Sequence, residues 1–200
     1  MRRIPLFVVI LSCVLPTVAA AASTWTLGAN VGLSILMASE GGGDLTAFSL
    51  PAQNGPLSGG TLAGLRIGFV APDERHEFYL DWGLSHISGG GESLTGFIGT
   101  LNYQRNLGTG RGSTEPYLAL GLGLTYQREH IDNLFFGSES ISGTNPVFGG
   151  GIGVQHRVGN GHGALRGEIR YDRLVEGSGD LGLASANAVS FKLGFDLWMK

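Results

Sequence analysis

Between Glu115 and Gln127 the chain reads EPYLALGLGLTYQ, in which Leu118, Leu120, Leu122, Leu124 and Tyr126 alternate without a break with Tyr117, Ala119, Gly121, Gly123, Thr125 and Gln127. Side chains of a strand point alternately to its two faces, and the strand rises about 3.3 Å per residue. About ten such residues, tilted, cross the hydrocarbon part of a bilayer. The pattern predicts a strand with one greasy face and one small or polar face, and it recurs eight times along the chain.

The first 22 residues stand apart from that pattern and read as a secretory leader. Arg2 and Arg3 form a positive start, Ile4 to Val18 an apolar core, and Ala19 to Ala22 small residues suited to cleavage. A membrane anchor fits less well, because the apolar stretch is short, contains Pro5 and Pro16 and ends without a charged stop. A lipid-attachment reading of Ile10-Leu11-Ser12-Cys13 would place the cut inside the apolar core. Cys13 is the single cysteine, so residues 23–200 are expected to form one domain without a disulfide framework.

Removing Arg2 and Arg3 lowers the basic residues from 13 to 11 against 16 acidic ones, and the formal charge from −3 to −5. That balance does not favour a nucleic-acid partner. With no apolar run of helical membrane-spanning length after the leader, a membrane protein built from this chain has to be a closed barrel.

Eight strands are expected: Thr24 to Met37, Thr61 to Val70, His76 to Ile87, Ser93 to Arg105, Glu115 to Gln127, Val147 to Val158, Gly163 to Arg173 and Asn187 to Met199. Their apolar faces include Trp25, Leu27 and Leu33 in the first, Phe78, Leu80 and Trp82 in the third, and Phe191, Leu193, Phe195 and Leu197 in the last. The fourth is less clean, since Ile98 falls on its polar face. A soluble sandwich also has one apolar face per strand, so the other face decides. Here it is crowded with glycine and punctuated by charges of both signs, which suits the interior of a narrow barrel rather than a solvent-facing sheet. The expected fold is all-β: an eight-stranded antiparallel up-and-down transmembrane β-barrel.

The connections alternate in length, apart from the short Ser88 to Glu92. Ala71 to Arg75, Asn106 to Thr114 and Gly159 to His162 are compact and are expected to face the periplasm. Ala38 to Gly60, Ser88 to Glu92, Glu129 to Asn145 and Leu174 to Ala186 are expected to face outward, the first of them glycine- and proline-rich and without regular structure.

Three segments, EPYLALGLGLTY, GGGIGVQHRV with its turn GNGH, and LRGEIRYD, together resemble the outer-membrane β-barrel domain superfamily of eight-stranded proteins, of the OmpA, OmpW and opacity-protein type. The C-terminal segment, with Lys192, Gly194, Leu197 and Met199, looks like the barrel-assembly recognition signal, although the chain finishes on Lys200 rather than on an aromatic residue. The resemblance covers about the whole of residues 23–200. It implies export to the outer membrane of a Gram-negative-type bacterium, with outer-membrane lipid or lipopolysaccharide and the barrel-assembly machinery as partners, an extracellular ligand left open, and no cofactor.

Several constellations are candidates for function. Arg66, Glu77, Asp81, Arg157, Arg166, Glu168, Arg170, Asp172, Lys192 and Asp196 all fall on the expected inward face. They read either as a salt-bridge network filling the interior or as a charged, porin-like conduit. His86-Ile87-Ser88, with Glu92 nearby, resembles the His-x-Ser pair of outer-membrane lipid A deacylases, which would make the chain a hydrolase; the asparagine such enzymes place after the serine is Gly89 here. Ile131, Leu134, Phe135 and Phe136 form an apolar cluster in an outward connection, either a contact site or part of an extended hairpin. Trp25, Tyr103, Tyr126, Tyr171 and Trp198 are expected at the membrane interfaces. The histidines His76, His130, His156 and His162 show no metal-ligand spacing, and the glycine run at Gly149 continues a strand rather than opening a phosphate-binding helix. The leading expectation is a non-enzymatic envelope protein acting through its loops.

Overall fold

The computed structural model describes residues 24–38, 45–49, 64–89, 92–108, 113–133, 137–179 and 185–199, and the leader lies outside them. The strands are β1 (Thr24–Ala38), β2 (Leu45–Ser49), β3 (Leu65–Val70), β4 (His76–Gly89), β5 (Glu92–Asn106), β6 (Thr114–Asn133), β7 (Gly137–Val158), β8 (Gly163–Leu174), β9 (Ser178–Gly179) and β10 (Ala186–Met199). Eight of them form an antiparallel ring in the order β1, β3, β4, β5, β6, β7, β8, β10. The ring closes where β10 pairs with β1 from Trp25 opposite Met199 to Ala38 opposite Ala186.

Two expectations about length are corrected. The connection from Ala38 to Gly60 holds a strand after all: β2 pairs with β1 between Gly32 and Leu36, on the edge whose other half, Thr24 to Ala29, belongs to β3. Its sequence LTAFS carries β-formers between a glycine run and Pro51. Above Trp82, β4 is paired among the described residues through β5 alone. The connection from Glu129 to Asn145 is also mostly strand, because β6 and β7 stay paired up to Asn133 and Gly137. Ile131 stands half-buried opposite Glu139 in that extended hairpin, while Leu134, Phe135 and Phe136 lie outside the described residues.

Burial is inverted relative to a soluble protein. The outward series of β6, Leu118, Leu120, Leu122 and Leu124, is 44–64% exposed, and Leu193 of β10 is 66% exposed. Arg66, Gln104 and Asp172 on the inward series are fully buried. Ile98 takes the inward side, as its parity requires. Such a wall is stable only with hydrocarbon outside it, and the pairing of β10 with β1 closes the ring.

At the end with short connections the turns are chemically specified. Gly159, Asn160 and Gly161 all take left-handed backbone angles, which glycine and asparagine adopt at least cost. In the β3–β4 turn the carboxylate of Asp73 accepts from the backbone N–H of Arg75 at 3.0 Å. Beside these turns an aromatic run crosses four strands: Trp25 to Phe69 at 6.0 Å, Phe69 to Phe78 at 5.4 Å, Phe78 to Tyr103 at 5.1 Å and Tyr103 to His76 at 5.8 Å. It forms part of an interfacial girdle. Trp198 does not join it. It points inward and is 4% exposed, a correction to its expected interfacial place that follows from its even parity in β10.

Leu122 sits mid-span on the lipid face of β6. Leu122→Arg is expected to cost about 2–4 kcal/mol of folding free energy, and Leu122→Ile under about 1.5 kcal/mol. Urea-dependent refolding into lipid vesicles measures both, and equal stability of the two variants would remove the lipid-facing assignment.

Candidate functional site

The inward faces of the strands bring the sequence-identified charges into one polar column. In its lower part, Arg66 of β3 donates through Nη2 to Glu77 Oε1 of β4 at 2.5 Å and lies 3.7 Å from Asp196 of β10. Asp196 is held by Arg166 of β8, whose Nη2 also donates to Asn30 Oδ1 of β1 at 2.9 Å. Asn30 in turn donates to Asp81 of β4 at 3.2 Å, and Lys192 Nζ is 3.8 Å from the same carboxylate. The chain of contacts therefore crosses the lumen and returns to β4.

A second group joins it. Tyr117 of β6 donates to Glu168 of β8 at 3.0 Å, Arg170 lies 3.7 Å from Glu168, and Arg170 Nε donates to Asp172 at 2.8 Å. Arg157, also expected inward, finds its partner outside the strands: its Nη1 donates to Glu74 Oε2 in the β3–β4 turn at 2.7 Å, and its guanidinium lies over the Trp198 ring at 4.7 Å. All ten charges of the expected list are on the inward side; nine are buried and Arg157 is partly so.

Neutral residues complete the fill. Tyr79 lies flat under Arg66, with the guanidinium carbon 3.3 Å from the ring centroid, and Gln104 bridges to Gln155 at 3.0 Å and Asn106 at 2.9 Å. These residues share the inward parity, and a search confined to charged residues passes them over; Glu74, though charged, lies in a turn and escapes a search confined to strands. The inward glycines make room. A Cβ on Gly121 would lie 2.6 Å from Arg170 Nη2, and one on Gly194 would lie 2.8 Å from Arg166 Nη2.

A small apolar cluster stands at each end of the column. Val147, Leu174, Ala186 and Ala188 cluster at the end with longer connections. Val70, Ala164 and Trp198 cluster at the other. Buried charges persist when paired, and each buried guanidinium of this lumen has a carboxylate partner, within β8 for Arg170 and across strands for Arg66 and Arg166.

The polar-in, apolar-out ring decides the comparison with known proteins. The chain has the fold of the eight-stranded outer-membrane β-barrels. No protein-family model matches it and no curated protein matches it in sequence. Among solved structures it is similar to Neisserial surface protein A, with 16% identity, a TM-score of 0.54, and coverage of 86% of this chain and 96% of that one. It is also similar to Ail, the attachment invasion locus protein of Yersinia pestis in complex with the heparin analogue sucrose octasulfate, with 12% identity, a TM-score of 0.53, and coverage of 88% and 98%.

The other candidate residues of this barrel are not gathered into the column. His86 pairs with Thr95 and Ser88 with Ser93, whereas Glu92 pairs with Gly89. Glu92 therefore has the register parity opposite to that of His86 and Ser88, and the side chains of all three lie outside the described residues. Within the C-terminal segment Lys192 and Gly194 belong to the inward series, and Leu197 and Met199 to the outward one. Among the described residues no cluster of metal-ligating side chains occurs.

Removing the carboxylate that faces two buried guanidinium groups tests the column. Asp196→Asn is expected to cost about 3–5 kcal/mol, because Arg66 and Arg166 then lose their shared counter-ion. Glu74→Gln, at a partly exposed pair, is expected to cost under about 1 kcal/mol. Equilibrium unfolding of both variants in vesicles gives the comparison.

Proposed function

We propose that this chain is an integral outer-membrane protein of a Gram-negative-type envelope, exported behind its leader, non-enzymatic, and acting through its outward connections on an anchor with a filled interior. The observation that carries this reading is the lumen, crossed by ion pairs and filled by buried side chains, with an apolar cluster at each end. A wall so filled supplies anchorage, while β6 and β7 continue past the end of β8 as a paired hairpin that carries Ile131 and Ile141 away from the membrane. In this orientation the short turns face the periplasm and the long connections the exterior.

A narrow conduit is the second reading. Among the described residues Arg66 Nη1 and both terminal nitrogens of Arg170 have no hydrogen-bond acceptor, so the column retains donors that a water or anion file would use. The hydrolase reading has less support, since the backbone register separates Glu92 from His86 and Ser88.

Purification from outer membranes followed by gel electrophoresis with and without heating, then planar-bilayer recording, tests the proposal. The expected result is faster migration of the unheated protein and no discrete channel openings. Stable anion-selective openings, reduced in Arg66→Ala or Arg170→Ala, would establish the conduit instead. Loss of acyl chains from lipid A in the presence of the wild-type protein would establish the hydrolase.

A further inference from the structure

Tyr103 of β5 and His76 of β4 stand on the outward face at the end with short connections. Phe78 pairs with Tyr103 and His76 with Arg105, so His76 is the diagonal neighbour of Tyr103 on one face. Their rings stack, with centroids 5.8 Å apart and planes 17° from parallel, and the phenol oxygen lies 2.7 Å from His76 Nδ1. At the far side of the imidazole, Nε2 is 3.4 Å from Asp73 Oδ2. Asp73 is itself fixed by the backbone N–H of Arg75, and it offsets the charge of exposed Arg105 across the strand pair from His76. A neutral imidazole donates at one nitrogen and accepts at the other, and the carboxylate beside Nε2 selects the tautomer with its proton there. Tyr103 then donates to Nδ1, and phenol, imidazole and carboxylate form one relay.

Among the described tyrosines this arrangement belongs to Tyr103 alone. Tyr171 donates to the amide oxygen of Asn187, which is no base, and Tyr117 donates to Glu168 inside the wall. The other imidazole–hydroxyl pairs, His156 with Thr114 and His130 with Ser140, hold aliphatic hydroxyls that resist oxidation. Tyr103 is half-buried beside Phe78, at 5.1 Å between centroids, while the His76 and Asp73 side chains are 36% and 49% exposed. The relay therefore runs from the apolar wall to water across the interfacial girdle. A phenol that loses an electron but keeps its proton becomes a cation, which an apolar boundary disfavours; a base at hydrogen-bond distance takes the proton as the electron leaves, so that charge never builds.

We propose that Tyr103 is a hydrogen-atom donor that quenches peroxyl radicals at this boundary, with His76 as the acceptor of its proton and Asp73 as the residue that positions His76. One electron leaves Tyr103 for the peroxyl radical, and the hydroxyl proton passes along the hydrogen bond to His76 Nδ1. The peroxide anion so formed takes a proton from water, and the imidazolium returns its proton to the hydroxide left behind. The net change is a phenol O–H broken, a hydroperoxide O–H formed and a neutral phenoxyl radical on Tyr103. The reaction is stoichiometric, one radical per chain, and so adds a protective role to a non-enzymatic anchor.

Peroxyl radicals generated in buffer from a water-soluble azo initiator test this on the full chain in vesicles of a saturated phospholipid, which brings no oxidisable acyl chains of its own. Freeze-quenched electron paramagnetic resonance reads the phenoxyl signal and its rate of formation. The wild type is expected to give the signal and Tyr103→Phe to lose most of it. His76→Gln, which keeps a hydrogen-bonding group but no proton acceptor, is expected to form the radical about a hundredfold more slowly. Tyr171→Phe is expected to match the wild type. A signal undiminished in Tyr103→Phe, or a His76→Gln rate equal to that of the wild type, would overturn the proposal and leave the pair as part of the girdle; where Tyr103→Phe does not refold, the His76→Gln rate decides. These results are read on protein that shows heat-modifiable migration: folded protein without the signal defeats this site alone, and protein that never shows such migration defeats the barrel reading as well.

Discussion

Everything in this structure depends on the pairing of β10 with β1. A sheet in hydrocarbon cannot leave a row of backbone N–H and C=O groups open, because each unpaired group costs several kcal/mol in the order of magnitude of about 2–7. The 14 residues of β10 pair along β1 from Met199 to Ala186, and the side-chain pattern follows from that closure. A closed wall has an inside, and in eight strands the inside is only wide enough for side chains. The alternation of leucine with glycine in β6 is then a single solution to two demands, an apolar surface outward and space inward for Arg170 and Asn102 opposite Gly121.

The interior shows how charge is tolerated there. Arg66 is served by Glu77 and by Asp196, and Asp196 is also gripped by Arg166, so one carboxylate from the last strand ties β3 and β8 to β10. Such a network is a poor source of net stability compared with an apolar fill of the same volume, but it is demanding about register. A slip by one residue would turn Arg66, Arg166 and Arg170 to the lipid and bring Leu65, Leu165 and Ile169 into the lumen. The network and the greasy wall therefore specify the same alignment from opposite sides.

Much of this was legible in the sequence because parity is a two-state property. Whether Arg170 or Ile169 faces inward is read directly from the alternation, and it held even for Ile98, where hydropathy and parity disagree. What parity does not encode is the rung at which a side chain meets a partner across the lumen. Arg157 reaches Glu74 in a turn 83 positions away, a pairing set by strand stagger and not by any local pattern. The extension of β6 and β7 was legible only as one of two readings of the Ile131 cluster, since GSESISG lacks an apolar series and is held as strand by the partner it pairs with. Trp198 was misplaced for a different reason: its residue type favours an interface, and its parity overrode that preference.

The ring closure also bears on how the molecule comes into being. Trp25 leaves the ribosome far ahead of Met199, yet the two are opposite one another in the finished wall. Local hairpins such as β6–β7 are available as soon as both arms are made, whereas the β1 edge that faces β10 has no lasting partner until Ala186 to Met199 arrive. The nascent protein therefore carries an exposed apolar ribbon with a waiting edge until β10 is made and paired. Contact order of this kind makes folding slow, and it assigns β10 the pairing that closes the ring.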